Sequence, residues 1–263
     1  MDTLRPTLRS LLIYPVKALD PLDAGEARIT SGGALENDRR WAIRDQGGKF
    51  VNGKKNERVS LVRSRYRMHP FSVVLKADGF GEEGAFALPE ESHLAATWLT
   101  KFLGTDVVLE ENFSGGFPDD TDASGPTLVS QATLETVASW YSGLVAADVL
   151  RRFRPNLVID GVPPFWEDRL YGVRGGSRPF AIGGVVFGGV NPCARCVVPT
   201  RDPVSAAAMP GFMARFMEQR KATLPSWADA SQFDHFYRLC VNTRIPATEA
   251  GKTLRIGDAL VLT

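Results

Sequence analysis

The first 85 residues contain short stretches in which apolar and polar residues alternate, each ending at glycine, proline or a polar turn. This period of two is typical of β-strands that bury one face. Residues 7–16 and 71–77 are predicted strands, and 58–68 continues the alternation. Residues 39–52 predict a hairpin around "DQGG". A chain built from such short elements forms a mainly β structure at its N-terminal end.

Helical periodicity appears further along the chain. Residues 90–104 place apolar side chains on one helical face and end at Gly104, a suitable C-terminal cap. Residues 129–143 predict a second helix with Ser130 as its N-cap, and 209–225 a third. Segments 177–190, 233–245 and 253–263 again predict strands. The fold class is therefore mainly β with α, an α+β protein.

The segment 110–127 is rich in glycine, proline, aspartate and serine and lacks apolar periodicity. Such composition is typical of a boundary between structural units. We predict an N-terminal domain over residues 1–112 and a C-terminal domain over residues 113–263.

Composition excludes several classes of function. The net charge of the 263-residue chain is +1, so no overall field favours nucleic acid or a membrane surface. Three cysteines are too few for a secreted disulfide framework and favour a reducing compartment. The N-terminal apolar stretch, residues 11–14, is broken by Pro15 and is shorter than a signal-peptide core. We expect a cytoplasmic protein without a membrane anchor.

The segment "NPCARCVVPTRDP", residues 191–203, holds Cys193 and Cys196 with Arg195 between them. A zinc site needs a second close pair of ligands, which Cys240 and His235 do not supply. A dithiol redox pair usually opens a helix, and "VVPT" is a poor helix start. A nucleophilic cysteine needs a nearby base, and histidines are scarce. Buried structural thiols remain the simplest interpretation of the cysteines alone.

The run "RRFRPN", residues 151–156, places three arginines and an asparagine before an apolar strand. Charge runs are usually solvated, but Arg154 and Asn156 alternate at the predicted strand start and would share a face. A buried arginine requires an anionic partner, and guanidinium groups suit phosphate. The pattern indicates a site for a phosphate-bearing cofactor near a thiolate.

Five motifs occur in a fixed order: "LIYPVKAL", "NDRRW", "RFRPNLVIDG", "NPCARCVVPTRDP" and "LRIGDALVL". Together they resemble the MOSC proteins, in particular those with a MOSC N-terminal β-barrel module, a group that includes the mitochondrial amidoxime-reducing component and its bacterial relatives. The resemblance covers nearly the whole chain. It implies an N-terminal β-barrel-like module followed by a MOSC β-barrel domain with peripheral helices.

The resemblance also implies a molybdenum cofactor, a molybdopterin whose dithiolene holds molybdenum and which ends in a phosphate. Its metal ligand in the family matches Cys196, which would also be the central catalytic residue, while Cys193 would pack beside it. Asp122, in a segment near the metal in relatives, is a second catalytic candidate. The matching cofactor-binding positions are Lys17, Arg39, Ser130, Arg154, Asn156, Ala194 and Arg195. Pyridoxal phosphate, found in related MOSC contexts, is not expected.

Two departures from the family pattern affect the expected site. Ala18 replaces the serine that often follows "YPVK", which removes one hydroxyl contact to the cofactor. The segment after Cys196 reads "TRDPVSA" instead of the usual "VDP.TG", so the loop beside the site differs, with residues 200–202 expected next to it.

By the resemblance, the chain would be a molybdenum-dependent oxidoreductase that reduces N-hydroxylated compounds such as amidoximes, hydroxylamines and N-hydroxylated bases. Neither a four-cysteine iron–sulfur spacing nor a dinucleotide fingerprint is evident, so a separate donor (a reductase, ferredoxin or b-type cytochrome) is expected. The alternative is a sulfur-carrier or cofactor-handling protein that uses Cys196 as a persulfide or ligand site. Neither nucleic acid nor a membrane is an expected partner.

Overall fold

The computed structural model describes residues 5–81 and 83–263. Strands predominate over helices within these ranges. The strands are β1 Thr7–Ile13, β2 Leu22–Ala24, β3 Glu26–Arg28, β4 Trp41–Asp45, β5 Arg63–Met68, β6 Phe71–Lys76, β7 Gly84–Ala87, β8 Val107–Glu111, β9 Leu128–Ser130, β10 Leu157–Asp160, β11 Arg178–Ile182, β12 Val185–Ala194, β13 Arg238–Arg244, β14 Thr253–Arg255 and β15 Leu260–Leu262. The α-helices are α1 Ser92–Leu103, α2 Gln131–Ser139, α3 Ala146–Phe153 and α4 Phe212–Ala222. The predicted α+β, mainly β class is confirmed.

The largest sheet has eight strands in the order β15-β11-β12-β13-β9-β10-β1-β2. Its strands pair antiparallel except for β9 and β10, which run parallel. Apolar side chains fill one face, and α2, α3 and α4 pack aromatic residues such as Phe153, Phe212 and Phe216 into a second cluster. The sheets among the described residues are open and do not close into the expected barrels.

The N-terminal part has its own core. Strands β4 and β8 form one ribbon, and β5, β6 and β7 form a three-stranded meander. Helix α1 covers them with Leu99 and Phe102, and it ends at Gly104 with φ 70°, as predicted for a glycine cap. The hairpin predicted over 39–52 is present, but its return is limited to the bridge between Arg44 and Phe50, and β4 pairs mainly with β8.

The two parts of the chain are interleaved at their N-terminal ends. β1 pairs with β10, with Leu11 opposite Leu157, and β3 pairs with β14 near the C-terminus. Residues 7–28 therefore complete sheets of the C-terminal part. The boundary between residues 112 and 113 stays a prediction. The interleaving brings residues 14–17 next to the mid-chain segment 153–156.

Three local predictions were wrong. The strand expected over 58–68 begins with a 3₁₀ turn, Glu57–Leu61, because the Asn56 side chain accepts a hydrogen bond from Arg58 N and caps it. Helix α3 was missed, and it contains the first part of the arginine run. The following strand begins only at Leu157, so Arg154 and Asn156 do not share a strand face; Arg154 ends the helix in a left-handed conformation.

None of the helices within the described ranges combines the length and the apolar character needed to span a membrane.

Candidate functional site

Cys196 lies in the loop that follows the end of β12. The pairing of β12 with β13 is irregular between Pro192 and Ala194, where the register shifts. Such bulges re-aim side chains and end strand pairing, and they are frequent next to active sites. The Cys196 thiol is partly exposed, and no hydrogen bond or disulfide engages it among the described residues. It is therefore accessible for ligation or chemistry.

Arg195 fixes the geometry of this loop. Its backbone N–H donates to Tyr237 O at 3.0 Å, and its Nη2 donates to Phe153 O at 2.5 Å. Its Nη1 lies 3.1 Å from Cys193 Sγ. The Nε of Arg195 is buried and finds no hydrogen-bond partner in the described part of the chain. A fixed guanidinium next to sulfur stabilises negative charge there, and its free N–H can serve a further acceptor.

The three cysteines differ in their surroundings. Cys240 is buried on β13, and burial raises the pKa of its thiol above the usual range although Arg195 opposes the shift. Cys193 is partly buried against the aromatic cluster and accepts the Arg195 hydrogen bond. Cys196 alone combines partial exposure with an uncommitted sulfur. This contrast favours Cys196 as the metal ligand, as predicted from the resemblance.

The loop after Cys196 is held by arginines from other elements. Arg152 of α3 donates through Nη1 to Pro199 O at 3.0 Å and also hydrogen-bonds Arg201 O. Arg63 donates through Nη2 to Pro203 O at 3.0 Å. The residues expected beside the site are thus fixed through their backbone carbonyls. Arg152, which sequence reasoning did not single out, acts as a structural support for this loop.

Arg39 and Arg154 lie around the Tyr14 ring. The Arg154 guanidinium is 4.2 Å and that of Arg39 5.5 Å from the ring centroid. Arg154 donates to Leu19 O at 2.5 Å and has no carboxylate ion pair among the described residues. Burial lowers the pKa of Arg154, and the nearby Arg39 charge acts in the same direction. Two like charges near one aromatic face favour an anion between or beside them.

Asn156 is fully buried and connects these arginines to the backbone. Its Oδ1 accepts from Arg39 Nη1 and from Thr127 N, both at 3.2 Å. Its Nδ2 donates to Leu12 O and to Asp38 Oδ1, both at 3.0 Å. Asp38 also forms an ion pair with Arg39. Because the Asn156 amide already forms four hydrogen bonds within the protein, its role in this structure is to position Arg39.

Lys17 is buried against the segment that follows β8. Its Nζ donates to Phe117 O at 2.8 Å and to Pro118 O at 3.2 Å. The same Nζ is 2.6 Å from Asp119 Oδ1. Burial lowers the pKa of Lys17 from the usual lysine value, while Asp119 opposes the shift. The ammonium is therefore a desolvated cation with one carboxylate partner.

Several of these residues have unusual backbone conformations. Ala18, Arg39 and Arg154 have φ of 76°, 49° and 53°, and Cys240 on β13 has φ 68°. Left-handed φ at residues other than glycine is uncommon, and such strain accumulates at functional sites. The tertiary contacts of Arg39 and Arg154 offset the conformational energy of their left-handed backbone.

The predicted residues do not all converge. We name Lys17, Arg39, Arg154 and Arg195 the cation cluster, because all four interact electrostatically with one carboxylate, that of Asp119. Ser130 lies elsewhere as the fully buried N-cap of α2, as predicted for that helix, and exchanges hydrogen bonds with Thr133. Ala194 ends β12 beside the cysteine loop, opposite Arg238.

Asp122 is exposed and lines a polar cavity of about 360 Å³ together with Asn191, Arg238 and Arg244. Arg244 hydrogen-bonds the Asp122 backbone carbonyl. Arg238, which lines the cavity, pairs with Ala194 across the strands, so the cavity wall includes the strand neighbour of the residue before the cysteine loop. The placement is suited to substrate access, and the catalytic role of Asp122 stays a prediction.

Sequence reasoning missed Tyr14, Asp38 and Asp119. Tyr14 and Asp38 stand inside the quoted motifs "LIYPVKAL" and "NDRRW", so their proximity to Lys17 and Arg39 was a usable signal. Asp119 lies in the segment interpreted as a linker and carried no such signal.

The donor set fits a phosphate-bearing group. Lys17, Arg154 and Arg195 have no ion pair within the described residues other than that of Lys17 with Asp119. The buried, unpartnered Nε of Arg195 adds a free donor. A phosphate offers several strong acceptor oxygens to such donors, and the partly exposed thiol of Cys196 is of the soft type that would suit molybdenum.

Comparison with known protein families identifies two domains in the chain. Residues 5–85 match the MOSC N-terminal beta barrel domain, and residues 125–261 match the MOSC domain. Together these matches cover most of the chain, which belongs to the MOSC family.

Individual relatives are more distant. Mitochondrial amidoxime reducing component 2 from Bos taurus is 24% identical over 242 residues, covering 75% of this chain and 67% of that protein. The Homo sapiens protein of the same name is also 24% identical, with the same coverage. Molybdenum cofactor sulfurase from Drosophila erecta is 27% identical over 224 residues, covering 74% of this chain. The chain spans only 28% of that sulfurase.

Proposed function

We propose that this protein binds a molybdenum cofactor through Cys196 and reduces N-hydroxylated compounds as an oxidoreductase. The observation that carries the proposal is the partly exposed, uncommitted thiol of Cys196 directly after Arg195 in the chain. The Arg195 guanidinium contacts Cys193 Sγ and belongs to a group of residues with more cations than carboxylates. A soft metal ligand beside an anion site suits a metal-dithiolene cofactor that ends in a phosphate. The names of the relatives, an amidoxime reducing component and a molybdenum cofactor sulfurase, support the same cofactor chemistry.

When bound, the cofactor supplies two-electron oxygen-atom transfer. The protein's contribution is to bind and orient. Cys196 would hold the metal from the loop after β12, and Arg195 keeps that loop in position through Phe153 O and Tyr237 O. Lys17, Arg39 and Arg154 would neutralise the phosphate, and Asn156 fixes the direction of the Arg39 guanidinium.

The polar cavity beside Ala194 and Arg238 gives a route for a small hydrophilic substrate such as an amidoxime, a hydroxylamine or an N-hydroxylated base. Asp122 lies on its wall, where a carboxyl group could exchange a proton with the departing oxygen. The electrons come from a separate donor such as a reductase, a ferredoxin or a b-type cytochrome. Three free thiols support a cytoplasmic, reducing location.

Metal analysis tests the proposal. The wild type, Cys196→Ala and Cys193→Ala are purified from a host that makes the molybdenum cofactor, and molybdenum is measured per folded chain. We expect near-stoichiometric molybdenum in the wild type and in Cys193→Ala, and its loss in Cys196→Ala. The loaded wild type should then reduce benzamidoxime with an artificial electron donor. Absence of molybdenum from all three proteins would contradict the assignment.

A sulfur carrier or cofactor-handling protein is the second candidate, since the exposed Cys196 could equally hold a persulfide, and sulfurases are among the relatives. Such a protein would carry exchangeable sulfur on Cys196 and show no turnover with an artificial donor. Mass spectrometry of the Cys196 peptide, with and without reductant, distinguishes the two: an added sulfur atom without bound molybdenum favours the carrier.

A further inference from the structure

The proposed function assigns the cation cluster to a phosphate and gives Asp119 no role, although its carboxylate interacts electrostatically with all four cations. Its Oδ1 lies 2.6 Å from Lys17 Nζ. The Asp119 side chain is 79% exposed, whereas the Lys17 side chain is 10% exposed. The carboxylate thus caps a buried ammonium from the solvent side, where an incoming anion would arrive.

The charge of Asp119 is stabilised by several cations at once. Partial desolvation by the surrounding protein would raise the pKa of its carboxyl, but the charges of Lys17, Arg39 and Arg195 outweigh this and lower it to about 2. Arg154 also interacts with it. Asp119 therefore contacts Lys17 directly and senses the charges of Arg39, Arg154 and Arg195. Of these four cations, only Arg39 has another ion-pair partner among the described residues, Asp38.

The backbone around Asp119 is fixed. Phe117 N donates to Arg39 O at 2.8 Å, and Lys17 Nζ binds the carbonyls of Phe117 and Pro118. At Gly116, which has φ 63°, a Cβ would lie 2.6 Å from Asp38 O, so glycine allows this close approach. The exposed Asp119 side chain can leave Lys17 by rotating about its own bonds, without movement of the loop.

We propose that the Asp119 carboxylate occupies the place of the cofactor's phosphate in the cofactor-free protein. There it neutralises Lys17, and it is displaced when a phosphate dianion binds the cation cluster. The inference rests on the proposed function, since it takes the cluster as the phosphate site. A carboxylate carries one charge, whereas the phosphate dianion carries about two and offers more acceptor oxygens to the four cations. Asp119 would lower the affinity for free phosphate and keep the buried ammonium paired until the cofactor arrives.

The proposal predicts a gain of binding when the carboxylate is removed. Protein is made in a host unable to synthesise the cofactor, and inorganic phosphate binding is measured by titration calorimetry for the wild type and Asp119→Asn. We expect at least about tenfold tighter phosphate binding in the variant, because one like charge near the anion is removed. Asp23→Asn is the matched control: Asp23 is exposed on β2 and has no ion pair within the described residues, so its substitution should leave affinity unchanged.

The pH dependence supplies a second readout. Asp119 raises the pKa of Lys17, so Asp119→Asn lowers it further, and the variant should lose phosphate binding at a lower alkaline pH than the wild type. Circular dichroism of each variant checks that the fold is retained. Equal phosphate affinity in the wild type and Asp119→Asn would overturn the proposal, as would phosphate binding by neither protein.

Molybdenum content of the same variants, produced in a cofactor-making host, separates this inference from the proposed function. Stoichiometric molybdenum with equal phosphate affinities would refute the role of Asp119 and leave the cofactor assignment standing. Absence of molybdenum from the wild type would count against the proposed function, whatever the phosphate result.

Discussion

Two groups of buried or half-buried charges in this protein differ in their balance of positive and negative charge. Around Asp168, one carboxylate meets one guanidinium: Arg220 Nη2 lies 2.5 Å from Asp168 Oδ2, with the two side chains 1% and 5% exposed. The rings of Phe165 and Phe233 lie 4.3 and 5.0 Å from the Arg220 guanidinium. In the cation cluster, Asp119 contacts Lys17 and also senses the charges of Arg39, Arg154 and Arg195, and its side chain is exposed to solvent. The first group is enclosed and contains its own carboxylates, Asp168 and the neighbouring Glu167, while the second has a surplus of positive charge.

This difference separates an enclosed arginine that has its own carboxylate from arginines that have none. The enclosed Arg220 is 1% exposed, so it contributes to the fold and is inaccessible to a ligand. Arg152 behaves in a similar way, since it is committed to the carbonyls of the loop after Cys196. Arg154 and Arg195 form no ion pair among the described residues: Arg154 donates to Leu19 O, and Arg195 donates to Phe153 O and Cys193 Sγ. Under the proposed function, an anion would supply their missing negative partner.

The largest expected effect comes from breaking the matched pair. Arg220→Met leaves the buried Asp168 carboxylate without its partner, and we expect a loss of about 3–5 kcal/mol in the free energy of unfolding. Chemical denaturation measures it, with Arg178→Met on the exposed face of β11 as the control. Phosphate affinity of the folded fraction should be unchanged. A stability loss below about 1 kcal/mol would show that this group is not a sealed pair.

The same substitution in the cation cluster should give the opposite result. Lys17→Met removes one cation from a surplus, so we expect the free energy of unfolding to change by less than about 1 kcal/mol. Phosphate affinity should fall by about 2 kcal/mol or more, which exceeds tenfold. Calorimetric titration of the cofactor-free protein checks this, with Lys101→Met on the exposed face of α1 as the control. Strong destabilisation by Lys17→Met without a change in phosphate affinity would show that Lys17 serves the fold and not an anion site.

A smaller effect is expected at alkaline pH. Because burial lowers the pKa of Lys17 below the usual 10.5, the ammonium is lost at a pH where exposed lysines keep their charge. Phosphate affinity should fall as pH rises through this lowered pKa. The folded state disfavours the charged form of Lys17. The free energy of unfolding should therefore rise as pH increases from the lowered pKa of Lys17 to the ordinary lysine pKa. Lys17→Arg, which stays charged, should remove the alkaline loss of affinity; an unchanged profile would contradict the role of Lys17.

The smallest effect is expected in acid. The pKa of Asp119 is lowered from 3.8 to about 2 in the folded protein. The ionised carboxylate therefore contributes fully to stability at pH values above its pKa in the unfolded chain, and this contribution disappears as pH falls toward 2. The wild type should exceed Asp119→Asn in stability at pH 5, and the difference should shrink between pH 4 and pH 2. Because the side chain is largely exposed, the difference should be small. A constant difference across this range would show that Asp119 acts through something other than its charge.

Local sequence patterns predicted much of the scaffold. The alternation in 71–77, the cap at Gly104 and the Ser130 start of α2 are encoded within a few residues, and each was confirmed. Helix α3 was missed because its charged run resembles the approach to a strand, and tertiary packing of Phe153 decides its conformation. The open sheets likewise depend on long-range pairing, such as that of β1 with β10.

The candidate site was only partly predictable. Motif resemblance pointed to Lys17, Arg39 and Arg195, and all three interact with Asp119 in the structure. Asp119 itself could not be predicted, since its importance comes from the folding of a linker-like segment over Lys17. Ser130 was assigned both as a cap and as a cofactor residue, and its hydroxyl is fully engaged with Thr133.

Under the proposed function, Cys196 would be the metal ligand of a molybdenum site. X-ray absorption at the molybdenum edge, on protein loaded with cofactor, counts the sulfur neighbours of the metal. Cys196→Ser should lose one sulfur neighbour relative to the wild type, whereas Cys193→Ser should keep the full set. An unchanged sulfur count in Cys196→Ser, or a loss in Cys193→Ser instead, would refute the role of Cys196 as ligand.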